Sequence, residues 1–194
     1  MGRVRNTSDF NTQDLQGVYE ALRKWDDDPF WPPNSQATIV LLGGVVLAFY
    51  KISLNGDHDA TDDIDAIILS STEVPDALML SAERLAISFR AGSVAWLQQD
   101  WDSRIQWSPQ QFEHLIVGWL DPYDWIISKL GRWLGHDPMD AIAVARTVDP
   151  QILYEYVKDA LIDYIGDPTG PRGSWNNLVD AMGWPTSLKI LGSG

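Results

Sequence analysis

The sequence predicts an α/β (α+β) fold, with a small mixed sheet flanked by helices and a mainly helical C-terminal half. Two apolar runs of strand length, at residues 39–42 and 66–69, predict the sheet. Residues 121–194 predict the helical half, because their apolar side chains recur at helical spacing in segments that end at Gly, Asp or Pro. Strands and helices that alternate and then give way to helices alone are typical of such folds.

A first helix is predicted over residues 12–25, with Thr12 as its N-cap. Its apolar residues recur at helical spacing. They are Leu15, Val18, Leu22 and Trp25. The prolines within residues 26–34 cannot continue a helix, because proline lacks the backbone N–H and clashes with the preceding turn. A loop is therefore expected before the first strand.

Residues 39–69 are predicted to form strand, tight turn, helix and second strand. The apolar run 39–42 meets the pair Gly43 and Gly44 and continues as an apolar segment of helix length over residues 45–52. A polar loop then leads into residues 63–69, which alternate acids with aliphatic residues before becoming wholly apolar. This stretch forms the centre of the predicted sheet.

Two acids head the second strand. Asp63 and Asp65 stand two residues apart, so their carboxylates project from one face of the strand while Ile64 points to the other. Adjacent carboxylates repel unless a positive charge lies between them, and a divalent cation is the usual one. The backbone N–H groups of the Gly43-Gly44 turn would offer donors to a nearby phosphate. The same acids could also be a solvated strand start.

The remaining helices and strands are predicted from the periodicity of apolar residues and from the residues that end helices. Helices are predicted at 76–89, 123–133, 138–146, 151–165 and 175–182, a turn or two of helix at 95–101, and a buried strand at 112–120. On the predicted helix 76–89, one face carries Leu78, Ala82, Leu85 and Phe89. We expect an α/β core over residues 1–120 and a helical part over residues 121–194, packed on the core as one compact unit.

Composition narrows the functional classes. The chain of 194 residues has no cysteine and a net charge of −13, with 14 Lys and Arg against 27 Asp and Glu. Extended DNA binding is disfavoured, because it needs a basic face. No apolar run reaches the length of a membrane span, and the polar N-terminus lacks a signal-peptide pattern, so a cytoplasmic protein is expected. Its acidity would attract a basic protein partner.

The Gly43-Gly44 pair, followed about twenty residues later by Thr61, Asp63 and Asp65, resembles the signature of the polymerase-β-like nucleotidyltransferase superfamily. The resemblance implies a nucleotidyltransferase-type sheet and transfer of a nucleoside monophosphate from an NTP to a hydroxyl acceptor. It further implies that Asp63 and Asp65 hold Mg²⁺ and that the Gly pair and Thr61 bind the nucleotide.

The second half of the chain resembles the small branch that includes AbiEii-type toxins. The matching residues are a Lys and an Arg, then two Asp, namely Lys129, Arg132, Asp137 and Asp140. The resemblance implies that Lys129 and Arg132 contact phosphate and that Lys129 is also a catalytic residue. It places Asp137 and Asp140 in the same nucleotide-binding site. It implies that the protein is the toxin of a toxin–antitoxin pair, with an antitoxin or another protein as its partner. The acceptor of the nucleotide would be RNA, a protein or a small molecule.

Other interpretations of these residues stay open. Lys129 and Arg132, three residues apart on one predicted helical face, could merely solvate a helix. Asp137 and Asp140 could be a first helical turn that the helix dipole favours. The signature's usual Arg is replaced by Asp59, and Glu113 is the one weak candidate for a third carboxylate. A degenerate protein of this fold, acting as a binding or antitoxin-like partner, is therefore the alternative.

Overall fold

The computed structural model describes residues 15–52, 63–69, 74–84, 88–91 and 95–192. The chain divides into two compact units. Unit 1 comprises residues 1–93 and 107–119, and unit 2 comprises residues 94–106 and 120–194. The chain thus enters unit 2 for one segment and returns to complete unit 1 before its helical half begins.

Unit 1 is built on a sheet with three helices. Its elements are α1 (Leu15–Asp26), β1 (Ala37–Leu42), α2 (Val46–Phe49), β2 (Asp63–Ile68), α3 (Val74–Arg84), β3 (Ser88–Ala91), β4 (Gln106–Trp107, of which Trp107 belongs to unit 1) and β5 (Leu115–Trp119). The strand order is β3-β2-β1-β5-β4. β1 is antiparallel to β2 and parallel to β5, while β2 is parallel to β3, so the sheet is mixed as predicted.

The centre of the sheet forms the core of unit 1. Five of the six β1 residues are buried, including the whole run from Ile39 to Leu42, as an apolar run without polar alternation predicts. Trp25 of α1 is fully buried, and its indole Nε1 donates to the carbonyl of Leu78 in α3 at 3.3 Å. Of the predicted face of α1, Val18, Leu22 and Trp25 are buried and Leu15 is half-buried, while the predicted N-cap Thr12 lies outside the described residues.

Asp26 ties the end of α1 to the start of β5. This buried carboxylate accepts three backbone N–H groups, from Glu113 at 2.8 Å, His114 at 2.7 Å and Leu115 at 2.9 Å. These N–H groups are therefore directed to a side chain rather than to a neighbouring strand. The predicted strand 112–120 is confirmed in shortened form, beginning at Leu115.

Unit 2 holds the helical half. Its helices are α4 (Pro122–Leu130), α5 (Asp137–Ala145), α6 (Pro150–Ile162) and α7 (Thr169–Met182), preceded by a short 3-10 helix, Trp101–Arg104. Trp125 and Trp175 are fully buried among these helices. The indole Nε1 of Trp175 donates to the carbonyl of Leu188 at 2.7 Å, which fixes the C-terminal segment to α7.

Two predictions of helical structure between residues 76 and 104 are wrong in extent. α3 ends at Arg84, and Phe89 lies in the edge strand β3, where it pairs with Ile64. A strand of four residues is too short for periodicity to separate it from a helix end. The helical turn expected at 95–101 instead forms at Trp101–Arg104, and Trp96 lies in a non-helical segment, where its indole N–H donates to the carbonyl of Ala160 at 2.9 Å.

α7 begins six residues earlier than the predicted helix 175–182. Its first turn contains Gly170 and Pro171, which the sequence pattern favours as loop residues. Proline is tolerated in a first turn, since the N–H that it lacks would have no partner within the helix. Within the described part of the chain, no helix is long and apolar enough to cross a membrane.

Candidate functional site

The glycine turn of unit 1 lies directly against a carboxylate. Leu42, the last residue of β1, pairs with Asp65 of β2, and Gly43 follows with φ +72°. A Cβ built on Gly43 would lie 2.6 Å from Oδ2 of Asp65. Both the left-handed backbone and the missing side chain are therefore required, and they let the Asp65 carboxylate sit against the turn that opens α2.

The other predicted residues of this stretch are only partly described. Gly44 lies in the turn, and its carbonyl accepts the N–H of Leu47 at 3.1 Å. Asp63 opens β2, and the structure describes its backbone, which pairs with Ser88 of β3. Thr61 and Asp59 lie outside the described residues. Of the site residues predicted within residues 39–69, Gly43 and Asp65 are thus the pair that the structure brings together.

In unit 2, the predicted basic and acidic residues form one ion cluster. The Nζ atom of Lys129 lies 3.0 Å from Oδ1 of Asp137 and 3.7 Å from Oδ2 of Asp140. The guanidinium of Arg132 donates twice to Asp137, from Nε at 2.7 Å and from a terminal nitrogen at 2.7 Å. The cluster therefore pairs two cations with two carboxylates and carries no net charge.

Arg132 does not lie on the helix that carries Lys129. α4 ends at Leu130, and Arg132 sits in the turn that follows, so the predicted placement of both residues on one helical face is wrong. They meet at Asp137 because this turn folds back over the first turn of α5. The Lys129 side chain is 6% exposed and lies 4.9 Å from the centre of the Trp125 ring, whereas the Arg132 side chain is 59% exposed.

Asp137 is held ionised by its surroundings. Burial raises its pKa, but the hydrogen bonds from Arg132, the charge of Lys129 and the N–H of Leu134 outweigh burial, and the pKa falls to about 2. Its four hydrogen bonds come from Lys129, from two nitrogens of Arg132 and from the backbone N–H of Leu134. Asp137 thus organises the cluster, and a helix-dipole role alone does not account for its contacts.

A family model for "Nucleotidyltransferase of unknown function (DUF6036)" matches residues 26–181. The chain belongs to this nucleotidyltransferase family. The match spans both the Gly43–Asp65 contact and the Lys129–Asp137 cluster, so both parts of the predicted signature lie within the family's domain. No curated protein and no solved structure matches the chain.

The structure offers no candidate for the expected third carboxylate in the strand beside Asp63 and Asp65. The register of β3 places Ser88 next to Asp63 and Arg90 next to Asp65, and β3 contains no carboxylate. The candidate Glu113 precedes β5 at the Ala37 end of β1, whereas Asp65 pairs with Leu42 at the other end. Its carboxylate is 84% exposed. Glu113 is therefore not placed to join the acidic pair.

The described side chains contain no group of three His, Asp or Glu residues arranged to hold a metal ion. The carboxylate pair of β2 is the one predicted metal site, and its chemistry suits a hard cation because carboxylate oxygens are the ligands that Mg²⁺ prefers.

Sequence reasoning missed a second ion pair of the nucleotidyltransferase domain. Arg104 donates to both oxygens of Asp124, each at 2.8 Å, and its guanidinium lies 4.7 Å above the ring of Tyr156. Asp124 is fully buried, and its backbone N–H donates to Asp121, the N-cap of α4, at 2.8 Å. The Asp-Pro start of α4 signals the cap, but no local pattern points to Arg104, which lies twenty residues earlier.

Proposed function

We propose that this protein catalyses Mg²⁺-dependent transfer of a nucleoside monophosphate from an NTP to a hydroxyl acceptor. The observation that carries the proposal is the contact between Gly43 and Asp65 in a chain of this family. A backbone turn that tolerates no side chain, set against a carboxylate, is the arrangement that a metal-bound triphosphate needs for close approach.

The proposed reaction exchanges one phosphate ester for another. The acceptor oxygen forms a bond to the α-phosphorus, the bond from the α-phosphorus to the bridging oxygen breaks, and pyrophosphate and the hydroxyl proton are released. The protein's task is to position the triphosphate and offset its charge.

Asp63 and Asp65 are the residues that would hold Mg²⁺. Asp65 fits this role, because its Oδ2 atom lies beside the glycine turn that is proposed to receive the phosphates. When bound, Mg²⁺ neutralises phosphate charge and polarises the phosphorus–oxygen bonds. The turn at Gly43 and Gly44 would contribute backbone donors to the phosphates, and Thr61 is proposed as a further ligand of the nucleotide.

The cluster of unit 2 is proposed as the second requirement for the reaction. The phosphate contact of Arg132 is proposed from the family resemblance alone; within unit 2, Arg132 is the exposed cation of the cluster, and Asp137 fixes its guanidinium through two hydrogen bonds. Lys129 is buried against Asp137 and Asp140, so its proposed contribution is to hold these carboxylates in place and to offset their charge.

The acceptor and biological setting are proposed from the resemblance to AbiEii-type toxins. RNA, a protein side chain and a small molecule all carry suitable hydroxyls, and the net charge of −13 favours a protein or small molecule over tRNA. A toxin working in the cytoplasm against an antitoxin partner fits this chemistry. An antitoxin-like reading frame beside the gene would support that setting.

The test is label transfer from NTPs labelled at the α-phosphorus, incubated with Mg²⁺, the protein and cell extract. Asp63→Asn and Asp65→Asn are each expected to abolish transfer. Asp76→Asn, which removes an exposed carboxylate of α3 in the same unit, is the control and should retain full activity. Circular dichroism checks that every variant is folded. Transfer that persists in both site variants would reject the proposal.

The absence of a carboxylate from β3 favours one alternative, a degenerate nucleotidyltransferase that acts as a binding partner. This alternative predicts no label transfer from any NTP and a stable complex with another protein. Equilibrium dialysis of NTP with and without Mg²⁺ separates the two functions, since the proposed enzyme requires Mg²⁺-dependent binding.

A further inference from the structure

Residues 96–104, which we call the strap, contact both ends of α4 within unit 2. At the start of α4, the guanidinium of Arg104 donates to both carboxylate oxygens of Asp124, each at 2.8 Å. At the end of α4, Trp96 packs on the C-cap residue Gly131, where an added Cβ would lie 3.0 Å from the Cβ of Trp96. The strap therefore spans α4 from its first turn to its C-cap.

The two side chains of the strap that contact α4 also contact α6 and the turn after it. The indole N–H of Trp96 donates to the carbonyl of Ala160 at 2.9 Å, and its ring meets the ring of Tyr164 edge-on, with the centroids 5.3 Å apart. The guanidinium of Arg104 lies 4.7 Å from the centre of the Tyr156 ring. The strap thus holds α4 at both ends against a second helix of the same unit.

The contact at the start of α4 fixes direction as well as distance. Asp124 is fully buried and the Arg104 side chain is 19% exposed, so their hydrogen bonds form largely away from water. Two parallel hydrogen bonds between a planar guanidinium and a carboxylate define the relative orientation of both groups. Rotation of the first turn of α4 would break this pair inside the unit, which is unfavourable for buried charges.

The end of α4 that Trp96 contacts carries the ion cluster. Lys129 lies in the last turn of α4, and its Nζ atom is 3.0 Å from Oδ1 of Asp137. The carbonyl of Lys129 accepts the backbone N–H of Arg132 at 3.2 Å, so the turn that carries Arg132 is bonded to the same end of the helix. Hydrogen bonds weaken steeply as their geometry departs from the optimum. A displacement of this end of α4 would therefore weaken both cations' contacts with Asp137.

We propose that the strap sets the geometry of the ion cluster, with Trp96 and Arg104 as positioning residues that act through α4. The placement of the cluster rests on contacts within unit 2. Its consequence for catalysis rests on the proposed function, in which Arg132 contacts the phosphates of the NTP. Neither positioning residue needs to touch the substrate.

Gly131→Ala tests the contact at the end of α4. The helical φ of −65° at Gly131 suits alanine, so the backbone is not strained, and the added methyl group should displace the end of α4 from Trp96. Gly173→Ala is the matched control, because it adds the same methyl group to α7 at a position facing open space. Arg104→Lys tests the start of α4, since lysine keeps the charge beside Asp124 but cannot form the paired hydrogen bonds.

The readout is the pKa of Asp137, measured by NMR of its carboxyl carbon. In the unchanged protein and in Gly173→Ala, this pKa should stay at about 2. In Gly131→Ala and Arg104→Lys, we expect the pKa to rise by about one unit, because more distant cations favour the ionised form less. A loss of stability alone would leave the pKa of the folded protein unchanged, so this readout separates positioning from structural support.

In the label-transfer assay, Gly131→Ala and Arg104→Lys should raise the KM for the NTP about tenfold, because the Arg132 guanidinium is displaced. Gly173→Ala should retain the KM of the unchanged protein. Circular dichroism checks folding, and Gly131→Ala carries the test if Arg104→Lys does not fold.

An unchanged pKa of Asp137 in the folded strap variants overturns the inference while the proposed function stands. An equal rise in Gly173→Ala also overturns it. If the unchanged protein transfers no label, the proposed function fails, and the titration of Asp137 still decides whether the strap positions the cluster.

Discussion

Burial and neighbouring charges shift the pKa of Asp137 in opposite directions, and the charges dominate. The carboxylate is 2% exposed, yet its pKa lies near 2 because Arg132 and Lys129 both bind its ionised form. Lys129 is itself buried, so each ion depends on the other for compensation. The four side chains of the ion cluster are therefore expected to act together rather than independently.

Asp137→Asn should destabilise the protein by about 3 kcal/mol at neutral pH, since it leaves the Lys129 ammonium buried beside a weaker partner. Asp180→Asn, which breaks a surface pair with Lys189, should cost less than about 1 kcal/mol. Urea unfolding followed by tryptophan fluorescence measures both. Equal effects of the two substitutions would contradict the buried character of the cluster.

Asp137→Asn should also change how the free energy of unfolding depends on pH in acid. The folded pKa of Asp137 is about 2 and its ordinary value is 3.8, so its ionised form stabilises the fold above about pH 4. That contribution, about 2 kcal/mol, is lost as the pH falls from about 4 to about 2. Unfolding at several pH values should show a shallower acid slope for Asp137→Asn than for the unchanged protein.

Gly43→Ala tests the contact that carries the proposed function. The added methyl group would meet the Asp65 carboxylate at 2.6 Å and would also force alanine to φ +72°. Gly135 has φ +56° with open space around it, so Gly135→Ala bears the backbone strain alone. We expect a loss of about 1 kcal/mol for Gly135→Ala and about 2 kcal/mol or more for Gly43→Ala. Equal losses would show that the close approach to Asp65 is unimportant.

At the scale of the element, the start of α4 depends on its cap. The pKa of Asp121 is raised to about 6, mainly by burial and also by the nearby charge of Asp124. The hydrogen bond from the N–H of Asp124 and the charge of Arg104 lower this pKa, but they do not outweigh burial. The protonation of Asp121 is therefore set mainly by its burial, while the ion pair of Asp124 and Arg104 lies beside the cap.

Asp121→Asn should keep the cap but remove the titration, because asparagine is an equally good N-cap. The folded pKa of Asp121 lies above its ordinary 3.8, so its stabilising effect is complete below about pH 4 and is lost as the pH rises through about 6. Melting temperatures between pH 4 and 7 should fall less steeply in Asp121→Asn. Parallel profiles for the two proteins would contradict the assigned pKa.

Some of the helices and strands can be predicted from the local sequence pattern alone. The strand, turn and helix around Gly43 follow from apolar runs and a glycine pair, and the structure confirms them, with the helix shortened to Val46–Phe49. β3 could not be recognised, because a four-residue edge strand owes its conformation to pairing with β2. Likewise, the two N–H groups just before Leu115, where β5 begins, donate to Asp26, which is far away in sequence.

At the scale of the whole molecule, the excess of acids is the dominant property. A net charge of −13 on 194 residues opposes the compact state by self-repulsion. Melting temperature should therefore rise as sodium chloride increases from about 0.02 M to about 0.2 M, where screening becomes effective within about a nanometre. Choline chloride should act similarly, because screening depends on ionic strength. A melting temperature that falls with either salt would contradict this account.

The division into units is also a property of the whole chain. Residues 94–106 belong to unit 2 although they precede β5 of unit 1. Within unit 2, Trp96 and Arg104 hold this segment through Ala160 and Asp124. The expected core over residues 1–120 and helical part over residues 121–194 remain a prediction.

The sequence by itself determined the mixed α/β class and the glycine turn before an acidic strand, whereas the residues of the basic and acidic cluster were named by the family resemblance. These features depend on composition and spacing along a short stretch, where backbone preference and side-chain period act directly. Only the tertiary structure decided that Asp65 lies against Gly43 and that Arg132 leaves the helix to join Lys129 at Asp137. Those contacts join separate elements, and their geometry depends on strand register, chain turns and the need to pair buried charges.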